Sequence, residues 1–179
     1  GVTTAIIGLA FQDLAKDLIA GIFIITEAQY EVGDTIEVDN FMGEVVSIGL
    51  KTTQIRDYKG ATKIIGNRYM DNMINYSLHT SLAIVDVGVG YEHSPEEVEK
   101  TLQELAQELN GKVENAKGDI EVLGINALDN SSVIYRVTLE VSSMKQFETE
   151  RFLRKKIKEK FDQNNIKIPV TQIEVHNGK

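Results

Sequence analysis

Residues 8–34 read GLAFQDLAKDLIAGIFIITEAQYEVGD. Phe11, Leu14, Leu18, Ile22 and Ile25 follow one another at spacings of 3, 4, 4 and 3, which places them on one stripe of a helix. Asp13, Lys16 and Asp17 fall off that stripe, and Gly33-Asp34 forms a turn from which a strand starts. Upstream, residues 1–12 carry no charge. Twelve residues rise only about 18 Å as a helix, short of a hydrocarbon core of about 30 Å. Two readings stand: an ordinary amphipathic surface helix, or a membrane-proximal helix whose upstream part lies outside this chain.

The 179 residues allow one or two domains, and 42% hydrophobic with 26% charged residues is the composition of an ordinary folded chain. A net charge of −8 argues against a nucleic-acid groove, which needs a basic surplus. The absence of Cys excludes disulfides and thiolate metal sites. The start has no basic n-region or cleavage site, and no segment is a complete membrane span. An uncharged Gly1-Val2-Thr3-Thr4 beginning without Met suits a fragment.

From Gly33 onward short strands are expected at Thr35–Val38, Glu44–Ile48, Thr52–Arg56 and Lys63–Ile65. Turns separate them at Gly33-Asp34, at Asn40 to Gly43, and at Asp57-Tyr58-Lys59-Gly60. Strands this short and close suggest a small, strongly bent sheet or barrel. Ile65-Gly66-Asn67 forms a further turn, and residues 68–74 make one or two helical turns.

Residues 82–175 run strand, helix, strand, strand, helix, strand. Ala83, Val85, Val87, Val89 and Tyr91 alternate on one strand face. Ser94-Pro95-Glu96-Glu97 opens a helix with a capping box and a proline at its first position, and Val98, Leu102, Leu105 and Leu109 form its buried stripe. Ile120–Leu128 is the second strand, and Val133, Tyr135, Val137, Leu139 and Val141 alternate along the third. Phe147, Leu153, Ile157 and Phe161 mark a second helix. This βαββαβ order is the ferredoxin-like arrangement, so the expected fold class is α+β. The last strand, Val170–Val175, could complete that sheet.

The ordered set GLAFQDLAKDLIAGIFI, YEVGDTIEV, FMGEVVSIGLKTTQIRDYKG and NRYMDNMINYS, running from about Gly8 to Ser77, resembles the small-conductance mechanosensitive channel family. The resemblance implies four parts. Residues 1–27 end a pore-lining membrane helix and form an interfacial helix. Residues 28–80 form an Sm-like β domain, 81–168 a ferredoxin-like α/β domain, and 169–179 a strand for a barrel on the symmetry axis, preferred here to a strand in the domain's own sheet. Leu9 matches a residue of the apolar ring that closes the pore, and Ala5 matches the other ring position, where the family usually has Leu. Gly8, Asp13 and Gly21 fall at positions of helix packing or bending; Asp13 stands where the family's helix bends at a glycine, and facing the axis it would make a ring of carboxylates. Gly33, Asp34, Gly43, Gly60 and Asn67 match turns of the β domain. The implied protein is a subunit of a homo-oligomeric ring, a heptamer, in the inner or plasma membrane. Its domains are largely cytoplasmic, lipids lie near its first helix, and it releases ions and small solutes on osmotic downshock.

No catalytic constellation is present: His79, His93 and His176 share no metal spacing, and no cofactor or enzyme activity is expected. Gly88-Val89-Gly90 lies in a strand pattern without the rest of a nucleotide loop. The basic residues Arg151, Arg154, Lys155, Lys156, Lys158 and Lys160 read as a solvated helix face. A soluble RNA-binding or scaffolding module is the competing function, weighed down by the acidic charge and the lack of clustered aromatic and basic residues on strands.

Overall fold

The structure, a computed structural model, describes residues 2–169 apart from the side chains of residues 3–5. It divides into two units, Gly1–His79 and Thr80–Lys179.

The first unit opens with helix α1, Val2–Glu27, uninterrupted along its length. It stops where Ala28 turns left-handed at φ 48° and Gln29 N–H donates back to the Ile24 carbonyl. Strands β1 (Thr35–Val38), β2 (Phe41–Ile48), β3 (Thr52–Arg56), β4 (Thr62–Gly66) and β5 (Ile74–Asn75) follow, with a 3-10 turn at Asn67–Tyr69 before the last. They form one antiparallel sheet in the order β4-β3-β2-β1-β5. A bulge between Val45 and Ser47 shifts the β2–β3 register and bends the sheet. Among the described residues no pairing joins β4 to β5, so the sheet is open and not a closed barrel. Ile36, Val38, Val45, Ile55, Ile65 and Met70 fill its core with Ile24 and Tyr30.

One turn sits elsewhere than expected. The β1–β2 hairpin closes through Asp39 and Asn40 alone, at φ 51° and 59°, with Val38 opposite Phe41. Short polar side chains tolerate this left-handed geometry, which a two-residue hairpin requires. The strand therefore begins before Gly43, which lies within β2 opposite Ile36 and not in a turn. A side chain there would strike the backbone of Arg56.

The second unit contains β6 (Ser81–Val89), α2 (Pro95–Leu109), β7 (Glu121–Leu128), β8 (Val133–Val141) and α3 (Gln146–Gln163). The sheet order is β6-β8-β7, antiparallel throughout, which is three strands of the ferredoxin-like arrangement. Ser94 Oγ accepts the Glu97 N–H at 3.3 Å and Pro95 takes the first turn, as the spacing predicts. The Glu97 carboxylate goes elsewhere: it stands 3.5 Å from His93 Nδ1.

Every inward residue of β8 from Val133 to Val141 is buried, against Leu102 and Leu105 of α2 and Leu153, Ile157 and Phe161 of α3. Tyr91 and Phe147, expected in this core, are exposed, because Tyr91 lies past the end of β6 and Phe147 in the first turn of α3. The expected strand Val170–Val175 lies outside the described residues, as does His176.

Candidate functional site

The side of α1 that meets the sheet is not the apolar stripe. Phe11, Ile22 and Ile25 are 61%, 52% and 56% exposed, whereas Asp17 and Ile24 are 4% and 3% exposed. With Asp13 and Gly21, these residues form a second stripe, at spacings of four and three, well around the helix from the first. The stripe of Phe11, Leu14, Leu18, Ile22 and Ile25 is thus a different face from the one seated on the sheet. A helix buries the face whose partners are present, and here the receiving surface offers backbone carbonyls, an arginine and the apolar core that takes Ile24.

Gly21 is the closest approach. A methyl group there would run into the Leu50 carbonyl oxygen and the Asn67 side-chain amide. Asn67, fully buried, uses that amide to donate to the Gly49 and Leu50 carbonyls at 2.8 and 3.0 Å. Its Oδ1 accepts from Thr53 Oγ1 at 3.0 Å, and Thr53 Oγ1 is 2.8 Å from Tyr30 Oη. Burial pushes the Tyr30 phenol up, so it remains a neutral hydroxyl partner. The chain of contacts runs from the exit of α1 through β3 to the 3-10 turn beneath the helix.

Arg68 follows Asn67 and reaches α1 at two levels. Its backbone N–H donates to Asp17 Oδ1 at 3.2 Å, and its guanidinium meets Asp13 Oδ1 at 2.6 Å. The guanidinium also donates to Tyr69 Oη at 2.7 Å and lies over the Tyr69 ring, 4.6 Å from its centre. Hydrogen bonding from Arg68, then its charge, holds the Asp13 carboxyl below the ordinary carboxylate range. The charge of Asp13 is therefore compensated within the chain.

Of the residues singled out from sequence, Gly21 and Asn67 meet in this joint and Asp13 closes its outer edge. Gly33 and Asp34 form the turn into β1: Gly33 has φ 101°, and Asp34 Oδ2 accepts from Glu31 N–H at 2.9 Å and from Asn75 Nδ2 at 3.3 Å. Gly60, at φ 94°, closes the β3–β4 turn. Gly8 has open space around it, and Leu9 is 70% exposed. Ala5 lies within α1, but its side chain is outside the described residues. Sequence reasoning missed Asp17, Arg68, Thr53 and Tyr30. The one signal for them was Asp13, Asp17 and Gly21 at intervals of four, a polar and small stripe beside the apolar one.

The basic face of α3 is largely neutralised: Arg154 pairs with Glu150, Lys156 with Glu159, Lys158 with Asp162 and Lys160 with Glu108. Among the described residues no group of three His, Asp or Glu could hold a metal ion, and no helix is long and apolar enough to cross a membrane.

The two units match successive parts of one family. Residues 13–78 match the β-domain of the mechanosensitive ion channel family, and residues 83–168 match the C-terminal domain of its MscS members. The chain belongs to this family. It is 31% identical over 169 residues to the small-conductance mechanosensitive channel of Caldanaerobacter subterraneus subsp. tengcongensis, covering 94% of this chain and 60% of that protein. It is 33% identical over 179 residues to an MscS family protein of Synechocystis, covering 98% and 60%. The closed-state crystal structure of Helicobacter pylori MscS has the same fold, with a TM-score of 0.83 at 23% identity over 100% of this chain and 71% of that one. The chain spans about three fifths of the length of these curated relatives. The RNA-binding alternative has no support among them.

Proposed function

We propose that this chain is the pore-proximal helix and the following domains of one subunit of an ion channel opened by membrane tension. The observation that carries this reading is the division of α1: its second half is seated on the sheet at Asp17, Gly21 and Ile24, while Ile6, Ile7, Leu9 and Phe11 in its first half are exposed. Such an apolar half-helix needs a partner beyond this chain, and copies around an axis supply one. Residues 1–27 then end the pore helix and form an interfacial helix, 28–80 and 81–168 form two domains on the cytoplasmic side of a cell membrane, and 169–179 join a barrel on the axis of a heptameric ring. Lipids lie near this helix, against the cavity of about 540 Å³ whose lining combines Ile19, Phe23 and Met70 with Lys16, Arg68, Glu27 and Asp71.

Tension favours the state of larger in-plane area and shifts a closed–open equilibrium by its differential work on the two states. Leu9 and its copies narrow the pore by an apolar constriction that dewets, with Ala5 a shallower second ring. Ions and small solutes pass when the constriction wets. The Gly21–Asn67 and Asp13–Arg68 contacts transmit motion of the helix to the β domain.

The test is patch-clamp recording of the full-length protein under graded suction. A suction-activated conductance is expected, and Leu9→Ser opens at lower tension because a hydroxyl lowers the cost of wetting. Absence of any such conductance rejects the channel reading. An unchanged threshold in Leu9→Ser removes Leu9 from the gate.

A further inference from the structure

We propose that the open face of the β6-β8-β7 sheet binds an aliphatic polyamine. Helices α2 and α3 cover the face formed by the odd-numbered residues of β8. The even-numbered residues point to the other side. There Thr138 lies between Ile84 of β6 and Glu121 of β7, and Glu140 lies opposite Leu82. Just before β7 the chain already runs beside β8. Lys117 N–H donates to the Glu140 carbonyl at 2.8 Å, which brings Asp119 to the same end of the sheet. Leu82, Asp119, Glu121, Thr138 and Glu140 line a cleft of about 280 Å³ there.

The cleft holds a buried hydroxyl that nothing in the fold satisfies. Thr138 is only 4% exposed, and its Oγ1 makes no hydrogen bond with any described residue. Buried hydroxyls are as a rule hydrogen-bonded, and the cleft is where a partner can reach this one. Asp119, Glu121 and Glu140 stand around it, and none of the three forms an ion pair among the described residues. Glu140 Oε1 accepts from Thr80 Oγ1, which leaves its Oε2 to the cleft. Lys117, the cation nearest to Asp119 in the chain, pairs with none of them.

Charge and space together define the ligand. Three carboxylates and a hydroxyl all accept hydrogen bonds, so the ligand is a cation that donates them. The carboxylates are too dispersed to close on one metal ion, since no group of three His, Asp or Glu among the described residues could hold one. Dispersed acceptors suit a chain that carries several charges. Each ammonium donates up to three hydrogen bonds and needs no closed coordination shell. Leu82, half exposed, offers an apolar wall to the methylenes between them. One ammonium at Thr138 and Glu121 and another at Glu140 or Asp119 use every open acceptor of the cleft. The site lies within the second unit and does not rest on the channel reading.

Spermidine titrated into the full chain at low ionic strength, followed by the amide NMR signals, tests it. Saturable shifts are expected at residues 80–82, 118–121 and 138–140. Thr138→Val removes the hydroxyl and keeps the shape, while Glu140→Gln removes a charge from an exposed side chain. Each is expected to weaken binding by about ten-fold, whereas Glu96→Gln, on the helix-covered side, leaves it unchanged. Shifts that never saturate, or that spread evenly over the acidic surface, overturn the proposal. Unchanged affinity in Glu140→Gln overturns it as well, and this variant decides the matter if Thr138→Val does not fold. Magnesium at the same concentration is the remaining arm: equal shifts at the same amides would make the cleft a general cation patch and overturn the polyamine site.

Discussion

Arg68 Nη1 stands 2.6 Å from Asp13 Oδ1, so an arginine from a turn beneath α1 holds the helix by its exposed side. The same arginine binds the buried side through its backbone N–H, which donates to Asp17. A single residue thus sets both the position and the rotation of the helix on its sheet.

The ion pair should be visible in the titration of Asp13. Arg68 holds that carboxyl below its ordinary value, so the folded pKa lies under the unfolded one. A group shifted in this direction stabilises the fold above its unfolded pKa, and the contribution is lost as pH falls through the folded pKa. It is therefore complete at neutral pH and fades below about pH 4. Arg68→Ala removes the hydrogen bond and the charge together, and the Asp13 midpoint should then move up toward the ordinary carboxylate range. NMR titration of the Asp13 carboxyl carbon in both proteins measures this, and equal midpoints would show the pair to be without effect.

Two glycines of α1 should respond oppositely to alanine. Gly8 has nothing nearby, so Gly8→Ala should stabilise the helix by up to about 1 kcal/mol. Gly21→Ala gains the same propensity but pushes a methyl group into the Leu50 carbonyl and the Asn67 amide. Overpacking against backbone costs about 1–3 kcal/mol, so the net change should be a loss of up to about 2 kcal/mol. Denaturant unfolding of the two variants provides the comparison.

Asn67 should be among the most sensitive residues of the first unit. Its side chain satisfies two carbonyls and accepts from Thr53 while fully buried. Asn67→Ala leaves these groups unpaired in the interior, at about 1–3 kcal/mol for each one that water does not reach. Asn67→Asp should be worse, since it sets a carboxylate against the Gly49 and Leu50 carbonyls. Thermal unfolding followed by circular dichroism should rank them wild type, then Asn67→Ala, then Asn67→Asp. An unchanged melting temperature for Asn67→Ala would mean that the network adds nothing.

Removal of residues 169–179 should leave the second unit folded. Among the described residues its core extends from Ala83 to Ile166. The expected result is an unchanged circular dichroism spectrum with weaker self-association in light scattering of the full-length protein. Global unfolding would instead place the last strand in the sheet of this unit.

The second unit was legible almost residue by residue. Val133, Tyr135, Val137, Leu139 and Val141 alternate because β8 is the central strand, covered on one face by helices of the same chain. Strand and helix periods leave one solution when the burying partner is local and apolar. The turn at Gly33-Asp34, the proline start of α2 and the left-handed Gly60 were equally readable, since each depends on the backbone preferences of one or two residues.

The joint of α1 was not legible, and its physics differs. The helix has an apolar stripe through Phe11, Ile22 and Ile25 and a polar, small one through Asp13, Asp17 and Gly21. Hydrophobic periodicity selects the first, because it registers the transfer of side chains from water and nothing else. The second is the seated one, since Gly21 has no side chain to hold off the Leu50 carbonyl and Arg68 stands where Asp13 and Asp17 can reach it. Those partners come from residues 50–68, distant in the chain and brought under the helix only by the folding of the sheet. Hydrogen bonds and ion pairs are short-ranged and directional, so which face of a helix they hold follows from where their partners stand and not from the order of residues along the helix.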